Sequence, residues 1–440
     1  TLLSTGAMSG LSLNQVSGGG FGLTLTSAGM TTFGGNVAGA TDLLVDGGGT
    51  TNIDAASIEV SNTLKIEEAV TISQQTSLTA PVEVSITGAI NSQAGELNSL
   101  SITSAGDGGV VDSGNIHFGE NVGELRALGS LQLDAATFVS LHDVTTRATM
   151  TESGNQSYSS NLIVTNSNYI TNGGNFSMNG VWDVQSSSMV TTSGGNIDLG
   201  SATLTSSNVG TSLTLDATNM MMPGGLVTLG EANDSEGNTL SALVVRGESV
   251  VFTNTNTFEV GTLDVDARNT ISLVHDITTM GDQSYQANRV NLAGDYLTNG
   301  GAFTIAGNMP PANVVLTSDV SVTSDAVINT AASDIDLSHA QLSASVSDLS
   351  LTLDAGSLAD VMILGADDVA GMEFLDALTV IEADEVTLGG NSLTFEDVVD
   401  IQSATTLIVT GALLAGSLNV TGTLNAQNTI ETDDAGIIIT

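Results

Sequence analysis

The chain of 440 residues contains no cysteine and is poor in several other residue types. It has four prolines, its aromatic content is 3%, and Lys65 is the one lysine among six basic residues. The absence of cysteine excludes disulfides and thiolate metal sites, so stability must come from packing. The low aromatic content argues against an ordinary globular core, which depends on aromatic bulk.

Positive charge is scarce relative to negative charge. The chain has 48 acidic residues against 6 basic ones, and its formal net charge is −42. Because phosphate binding depends on Lys and Arg, nucleic acid is a poor partner and an anionic membrane surface is disfavoured. No apolar run approaches the ~20 residues that span a bilayer, so we expect no membrane insertion. The acidic excess instead predicts attraction for divalent cations.

Short runs of alternating apolar and polar residues are abundant, with small residues between them. Period-two alternation places apolar side chains on one face of a strand, and the small residue admits a bend. Such units, repeated along a chain, predict a stack of coils, that is, an all-β parallel β-solenoid. Coils of roughly 20–27 residues would give roughly 16–22 coils and an elongated rod of roughly 75–105 Å. Clear copies of this pattern are residues 23–33, 44–53, 100–110, 131–138, 263–271, 351–356 and 378–388.

A longer block occurs twice, at residues 154–176 and 281–303. Both copies begin with Gly-x-Gln-Ser-Tyr and end with Asn-Gly-Gly-x-Phe, and together they hold all four tyrosines at one constant offset. Only the first copy is preceded by extra residues, at about 147–151. This difference predicts a loop insertion, which a solenoid tolerates because each coil contacts only its neighbours.

No Pro-rich or Ser-rich linker divides the chain, so residues 1–440 are expected to form one continuous solenoid. The chain begins at Thr1, without Met, and residues 437–440 resemble an unfinished strand. We therefore expect a processed subunit or a segment of a longer protein, with its export signal removed or outside this sequence.

Several phrases resemble the repeats of filamentous-haemagglutinin-type bacterial surface proteins. They are Thr-Phe-Gly-Gly-Asn-Val at 32–37, Gly-Asn-Gln-Ser-Tyr at 154–158 and Thr-Asn-Gly-Gly-Asn-Phe at 171–176. The resemblance covers most of the chain. It implies a right-handed β-helix, export to the cell surface or the extracellular space, and a role in adhesion, biofilm or surface layers. It implies no active site, and the secretion module of that family is not visible here.

Two repeated His-Asp pairs, His142-Asp143 and His275-Asp276, are the candidates for catalysis or metal binding. Neither has a further His or Glu at ligand spacing, and their repetition indicates a shared turn. Polysaccharide lyases also use parallel β-helices. However, the cationic groups that such chemistry needs are scattered, and Trp182 is the only tryptophan. We therefore expect no enzyme, no catalytic residues and no cofactor-binding residues. The six basic residues are Lys65, Arg126, Arg147, Arg246, Arg268 and Arg289.

Calcium is the one cofactor left open, with no ligands assigned. Residues 106–112 and 194–198 resemble fragments of the calcium-binding nonapeptide, but no tandem copies follow. Four acidic pairs either bind calcium weakly or form a solvated face, and we favour the solvated face. The pairs are Asp367-Asp368, Asp384-Glu385, Glu396-Asp397 and Asp433-Asp434.

Alternation also predicts the direction of single side chains. An outward direction is expected for Asp134, Asp216, Asp266 and Asp354. Phe33, Phe118, Phe176 and Phe303 follow glycine-containing turns and are expected inside the coils. The run Met220-Met221-Met222 suggests either corner packing or an adaptable contact with another subunit.

The sequence predicts a structural, non-catalytic extracellular solenoid. It would be a subunit or segment that builds a filament, sheath or surface fibre by end-to-end stacking, with copies of itself, flanking segments or divalent cations as partners. The alternative is the stalk of a large calcium-dependent bacterial adhesin that binds glycans, cells or surfaces. A filament subunit should polymerise alone, whereas a stalk should not.

Overall fold

The alternating runs form short parallel strands that stack coil upon coil. The computed structural model describes residues 2–4, 10–108, 113–165, 167–219, 223–233, 239–253, 258–307, 317–366, 373–390 and 392–440. In these residues the fold is all-β, a parallel β-solenoid of about 19 turns, within the predicted number of coils. No helix in this part of the chain is long and apolar enough to cross a membrane. The chain divides into two compact units, residues 1–225 and 226–440, which are described separately.

The first unit contains twenty-five strands in chain order. They are β1 Leu2–Ser4, β2 Leu11–Leu13, β3 Val16–Ser17, β4 Leu23–Ser27, β5 Met30–Phe33, β6 Val37–Ala40, β7 Leu43–Asp46, β8 Thr50–Ile53, β9 Ser57–Val60, β10 Thr63–Ile66, β11 Ala69–Ile72, β12 Thr76–Thr79, β13 Glu83–Ile86, β14 Ile90–Ser92, β15 Ser99–Ser104, β16 Asn115–Phe118, β17 Ser130–Ala135, β18 Phe138–Leu141, β19 Val144–Thr145, β20 Gln156–Thr165, β21 Tyr169–Ile170, β22 Phe176–Val184, β23 Ser188–Thr191, β24 Ile197–Thr205 and β25 Ser212–Asp216.

The second unit contains the remaining described strands. They are β26 Leu226–Ala232, β27 Ala242–Phe252, β28 Phe258–Val260, β29 Leu263–Leu273, β30 Ile277–Thr279, β31 Gln283–Gln286, β32 Arg289–Thr298, β33 Phe303–Ala306, β34 Ser318–Asn329, β35 Ile335–Ala344, β36 Ser350–Asp354, β37 Val361–Ala366, β38 Ala377–Val380, β39 Ala383–Leu388, β40 Ser392–Thr394, β41 Val398–Ile401, β42 Ala404–Val409, β43 Ala412–Val420, β44 Thr423–Ala426 and β45 Ile430–Ile439.

The strands of the first unit form three faces, and each coil contributes one strand to each face. Face I contains β4, β7, β10, β13, β16 and β18 and continues into the second halves of β20 and β22. Face II contains β2, β5, β8, β11 and β14, and face III contains β3, β6, β9, β12, β15 and β17. Leu23 pairs with Leu43 and Leu43 with Leu64, so a coil takes 20 or 21 residues here.

The two-strand interpretation of the recurring phrase is confirmed in most copies. Residues 23–33 form β4 and β5, and residues 378–388 form β38 and β39. It is wrong for residues 263–271, which lie within the single strand β29. There the chain bends through a register shift opposite Gly247 and Ser249 rather than through a turn. A bulge bends a strand while its ladder continues, so the small residue Ala267 does not end the strand.

Apolar columns fill the interior. On face I, Leu25 pairs with Val45 and Val45 with Ile66, and all three side chains are buried. Each fully buried side chain of this kind contributes about 1.5–3 kcal/mol relative to an exposed one. The inward direction predicted for Phe33, Phe118, Phe176 and Phe303 is confirmed, since all four are fully buried.

Candidate functional site

A corner built from threonine and two glycines joins neighbouring coils. The buried hydroxyls of Thr171, Thr192 and Thr298 donate to the carbonyl oxygens of Gly174, Gly195 and Gly301. The second glycine of each corner lies directly against the coil before it: a Cβ atom on Gly301 would be 2.0 Å from the carbonyl carbon of Gly281. The corner therefore closes only where that position has no side chain.

Side-chain oxygens of Asn and Asp continue the stacking outside the strands. Asn155 accepts from the backbone N–H of Asn175 at 2.9 Å, and Asn175 accepts from that of Asn196 at 2.8 Å. In the second unit, Asp282 accepts from the N–H of Ala302 at 2.9 Å. A carboxylate that accepts a backbone N–H makes the stronger, charge-assisted form of this bond. Part of the acidic content thus contributes to coil-to-coil bonding.

The two His-Asp pairs occupy such positions. Asp143 accepts from the backbone N–H of Asn168 at 2.8 Å, and Asp276 accepts from that of Asp295 at 2.9 Å. Both carboxylates therefore hold a backbone N–H of the next coil, that of the residue before β21 in the first unit and that of a residue within β32 in the second. This placement supports the shared-turn interpretation over a metal or general-base role.

The Gln-Ser-Tyr elements form buried brackets across the interior. The Gln283 amide donates to the carbonyl oxygens of Ile277 at 3.2 Å and Leu297 at 3.0 Å, and its oxygen accepts from the Tyr285 hydroxyl at 3.0 Å. Gln156 and Tyr158 make the same bonds in the first unit. Both glutamines are fully buried, and each joins two neighbouring strands: β19 and β21 for Gln156, and β30 and β32 for Gln283. Burial raises the pKa of Tyr158 and of Tyr285 well above the usual value, so both hydroxyls stay protonated donors.

The two copies differ at their second tyrosine. The Tyr296 hydroxyl donates to the Leu273 carbonyl at 3.0 Å and accepts from the Ala293 N–H at 2.9 Å. The Tyr169 hydroxyl is buried without an aligned hydrogen bond among the described residues. The Thr165 hydroxyl lies beside it and accepts the indole N–H of Trp182 at 2.7 Å. Tyr169 instead packs against aromatic rings, with ring centroids 5.5 Å from Phe176 and 6.3 Å from Trp182.

This difference gives a matched pair of substitutions. We expect Tyr296→Phe to lower the free energy of unfolding by about 1–3 kcal/mol, because it leaves buried groups without their partner. Tyr169→Phe should be neutral or slightly stabilising, since it removes a buried hydroxyl that has no aligned bond. Urea unfolding followed by circular dichroism measures both, and equal losses for the two variants would contradict the assignment.

Negative charge is distributed unevenly along the chain. Of the 48 acidic residues, 18 lie in the first unit and 30 in the second. At one corner of the second unit, the carboxyl of Asp376 lies near those of Asp397, Asp348 and Asp325. Partial burial, and then these three negative neighbours in that order, raises the pKa of Asp376. The folded unit therefore binds a proton at Asp376 more readily than the unfolded chain does.

The raised pKa predicts a pH effect of known sign. As pH rises above the unfolded pKa of 3.8 and through the folded pKa of Asp376, this carboxyl lowers the stability of the fold. Asp376→Asn should therefore stabilise the fold at pH 7, by less than about 1 kcal/mol because the group is mostly solvated. Unfolding measured from pH 3 to 8 at low and high salt tests this. A gain that persists at pH 3 would contradict it.

A groove lies on the outward side of face I. Its volume is about 740 Å³. Glu83, Asn115, Phe138 and Leu162 follow one another in register as a column across β13, β16, β18 and β20. Phe138 and Leu162 supply the apolar lining. The polar lining consists of Glu83, Asn115, His117, Thr137 and Asn161.

Sequence reasoning did not predict this groove, because it depends on coil length. Glu83 pairs with Asn115, and the intervening chain is longer than the 20 or 21 residues of the first coils. Alternation indicates that these side chains point outward, but it does not show which coils are neighbours. Lys65 lies next to the groove and pairs with Glu83, its ammonium 2.8 Å from the carboxylate.

The structure does not assemble the other residues singled out in the sequence into a site within the described ranges. Asp384, Glu396, Asp397 and Asp433 are exposed. No group of three His, Asp or Glu residues in the described ranges is arranged to hold a metal ion. Gly194 and Gly195 belong to a threonine-glycine corner. The outward direction of Asp134, Asp216, Asp266 and Asp354 is confirmed, since none of them is buried. Asp367-Asp368, Met220-Met221-Met222 and residues 109–112 lie outside the described residues.

The three basic residues of the second unit, Arg246, Arg268 and Arg289, lie on the neighbouring strands β27, β29 and β32. Arg268 lies 3.9 Å from a Glu248 oxygen, and Arg289 lies 3.7 Å from an Asp319 oxygen. Burial raises the pKa of Asp266, and the nearby Arg246 partly offsets this rise.

Comparison with protein-family models, with curated proteins and with solved structures gives no significant match for the chain. The likeness to filamentous-haemagglutinin-type repeats therefore remains a resemblance carried by the residues. From its fold and its repeated corners, the chain is a β-solenoid repeat protein.

Proposed function

We propose that this chain is a structural, non-catalytic solenoid that builds an extracellular filament, sheath or surface fibre by stacking coils end to end. One observation carries the proposal: the polar residues that the sequence singles out serve to bond one coil to the next. Asp143, Asp276 and Asp282 accept N–H groups of the following coil, and Gln156 and Gln283 each join strands of two successive coils. The extracellular setting rests on the resemblance stated above.

The edge of the last coil indicates where further stacking could occur. In β45, Ile437 and Ile439 continue the columns of Leu418 and Val420, which are buried. Ile437 is 44% exposed and Ile439 is 52% exposed, because no strand of the described chain covers them. An open ladder edge with apolar side chains readily pairs with another strand. Another copy, or flanking residues of a longer chain, would fill this role.

Electron microscopy of the purified chain over a concentration series tests the proposal. We expect uniform fibres, and a matched pair of variants locates the contact. Ile437→Lys places a charge in the interior column and should abolish the fibres, whereas Ile438→Lys, on the outward side of the same strand, should leave them. Isolated particles under every condition would overturn self-assembly and favour an adhesin stalk.

The same series, repeated with calcium and with excess chelator, tests the proposed role of divalent cations. Because the net charge of −42 opposes contact between copies, calcium between facing carboxylates should lower the concentration at which fibres appear. Fibres that form equally with calcium and with chelator would exclude a calcium requirement.

A further inference from the structure

We propose that the face I groove binds a short stretch of uncharged polysaccharide, two or three sugar rings long. This binding role goes beyond stacking and does not depend on it. The groove lies on the outward side of coils that are paired on both sides within the first unit. It could therefore be occupied in a filament subunit or in a stalk.

The dimensions of the groove suit such a ligand. Its volume of about 740 Å³ lies within the range of small-molecule sites, about 300–1,000 Å³. The column from Glu83 to Leu162 crosses three strand spacings, which corresponds to about 14 Å. This is an elongated site that runs along the stacking direction, as a linear oligosaccharide requires.

The chemistry of the lining points to a ligand with both apolar and hydroxyl surfaces. Phe138 is partly exposed, and Leu162 beside it is 37% exposed. Sugar rings offer C–H groups to such apolar surfaces and hydroxyl groups to polar ones. The Asn161 amide and the His117 imidazole are exposed at the rim and supply donors and acceptors. The Thr137 hydroxyl donates to the Ser113 carbonyl at 2.6 Å, which leaves its oxygen as an acceptor.

The charge of the site selects an uncharged ligand. Lys65 is the only lysine of the chain, and its ammonium is already paired with Glu83 at 2.8 Å. No arginine lines the groove. An anionic polysaccharide would be repelled by the Glu83 carboxylate and by the net charge of −42 of the whole chain. An uncharged saccharide avoids both costs.

Saturation-transfer NMR and calorimetry test the proposal, with the full chain kept below the concentration at which fibres form. The probes are cellotriose, maltotriose and chitotriose, with trigalacturonic acid as the anionic contrast. We expect at least one of the three uncharged probes to bind with Kd of about 1 mM and trigalacturonic acid to bind more weakly. Phe138→Ala should weaken binding at least tenfold.

Val181→Ala is the matched control, because Val181 follows Leu162 in the same column but does not line the groove. It should leave Kd unchanged. Asn161→Ala provides a second test at an exposed position if Phe138→Ala does not fold. The proposal is overturned by failure of all three uncharged probes, by preference for trigalacturonic acid, or by equal effects of Phe138→Ala and Val181→Ala. Because binding is measured on unassembled chains, a failure here leaves the fibre test unaffected.

Discussion

Replacing Gly301 by alanine should lower the free energy of unfolding of the second unit by about 3–5 kcal/mol. This is the upper end of the range for substitutions that overpack a structure and break a hydrogen-bond network. The added Cβ atom would lie 2.0 Å from the carbonyl carbon of Gly281 and 2.3 Å from the backbone nitrogen of Asp282. Both are backbone atoms of the neighbouring coil, so the clash is relieved only by separating the coils. Separation also breaks the bond from the Ala302 N–H to Asp282.

The adjacent glycine provides the control for this substitution. Gly300 has a φ of 95°, and a Cβ atom there would meet nothing within 4 Å. Gly300→Ala should therefore cost only the backbone strain of this conformation, about 1–2 kcal/mol. Urea unfolding of the two variants separates close contact from backbone conformation. Equal costs at the two positions would show that the coils are not in close contact at this corner.

Gln283→Ala is expected to lower the free energy of unfolding by about 3 kcal/mol, because a buried amide is lost and its partners remain buried. The Tyr285 hydroxyl loses its acceptor, and the carbonyls of Ile277 and Leu297 lose one donor each. In a solenoid the loss is felt mainly by the coils that the bracket joins, so hydrogen exchange should rise first in β30, β31 and β32.

Gln286→Ala is the control for this prediction. Gln286 lies on the same strand, β31, but is only partly buried, and its amide makes one bond of 3.3 Å to the Gly307 carbonyl. Its loss should cost less than about 1 kcal/mol. Unfolding and exchange profiles that cannot distinguish the two variants would mean that the bracket does not stabilise the coils.

Most of the fold could be predicted from the sequence because the alternation of apolar and polar residues is a local pattern. Alternation in residues 23–33 determines which side chains point inward, and the repeat of that pattern predicts stacking. The long block showed that Tyr158 and Tyr285 occupy equivalent positions, and their hydroxyls indeed make equivalent bonds. The right-handed winding is implied by the resemblance alone, and it stays a prediction.

Other features could not be predicted because they depend on which coils are neighbours. In the sequence, Gln156 and Gln283 look like any other repeated polar residues. Only the three-dimensional arrangement shows that each amide reaches carbonyls of two successive coils. A useful signal was present: the pattern Gln-x-Tyr places a polar side chain on the inward side of a strand. Asn115 lines the groove beside Glu83 only because the coil between these two residues is longer than the coils before it. The division into residues 1–225 and 226–440 is not marked by a Pro-rich or Ser-rich linker in the sequence.

The direction of the ladder bonds has a mechanical consequence. Within each unit, the backbone hydrogen bonds point from one coil to the next, so tension along the stacking direction loads them head-on, one coil at a time. We expect an edge coil to detach at low force because its ladder bonds break one after another. A coil of 20 or 21 residues, the spacing between Leu23, Leu43 and Leu64, then releases roughly 70 Å of extended chain. We therefore expect such a stack to lengthen under tension one coil at a time.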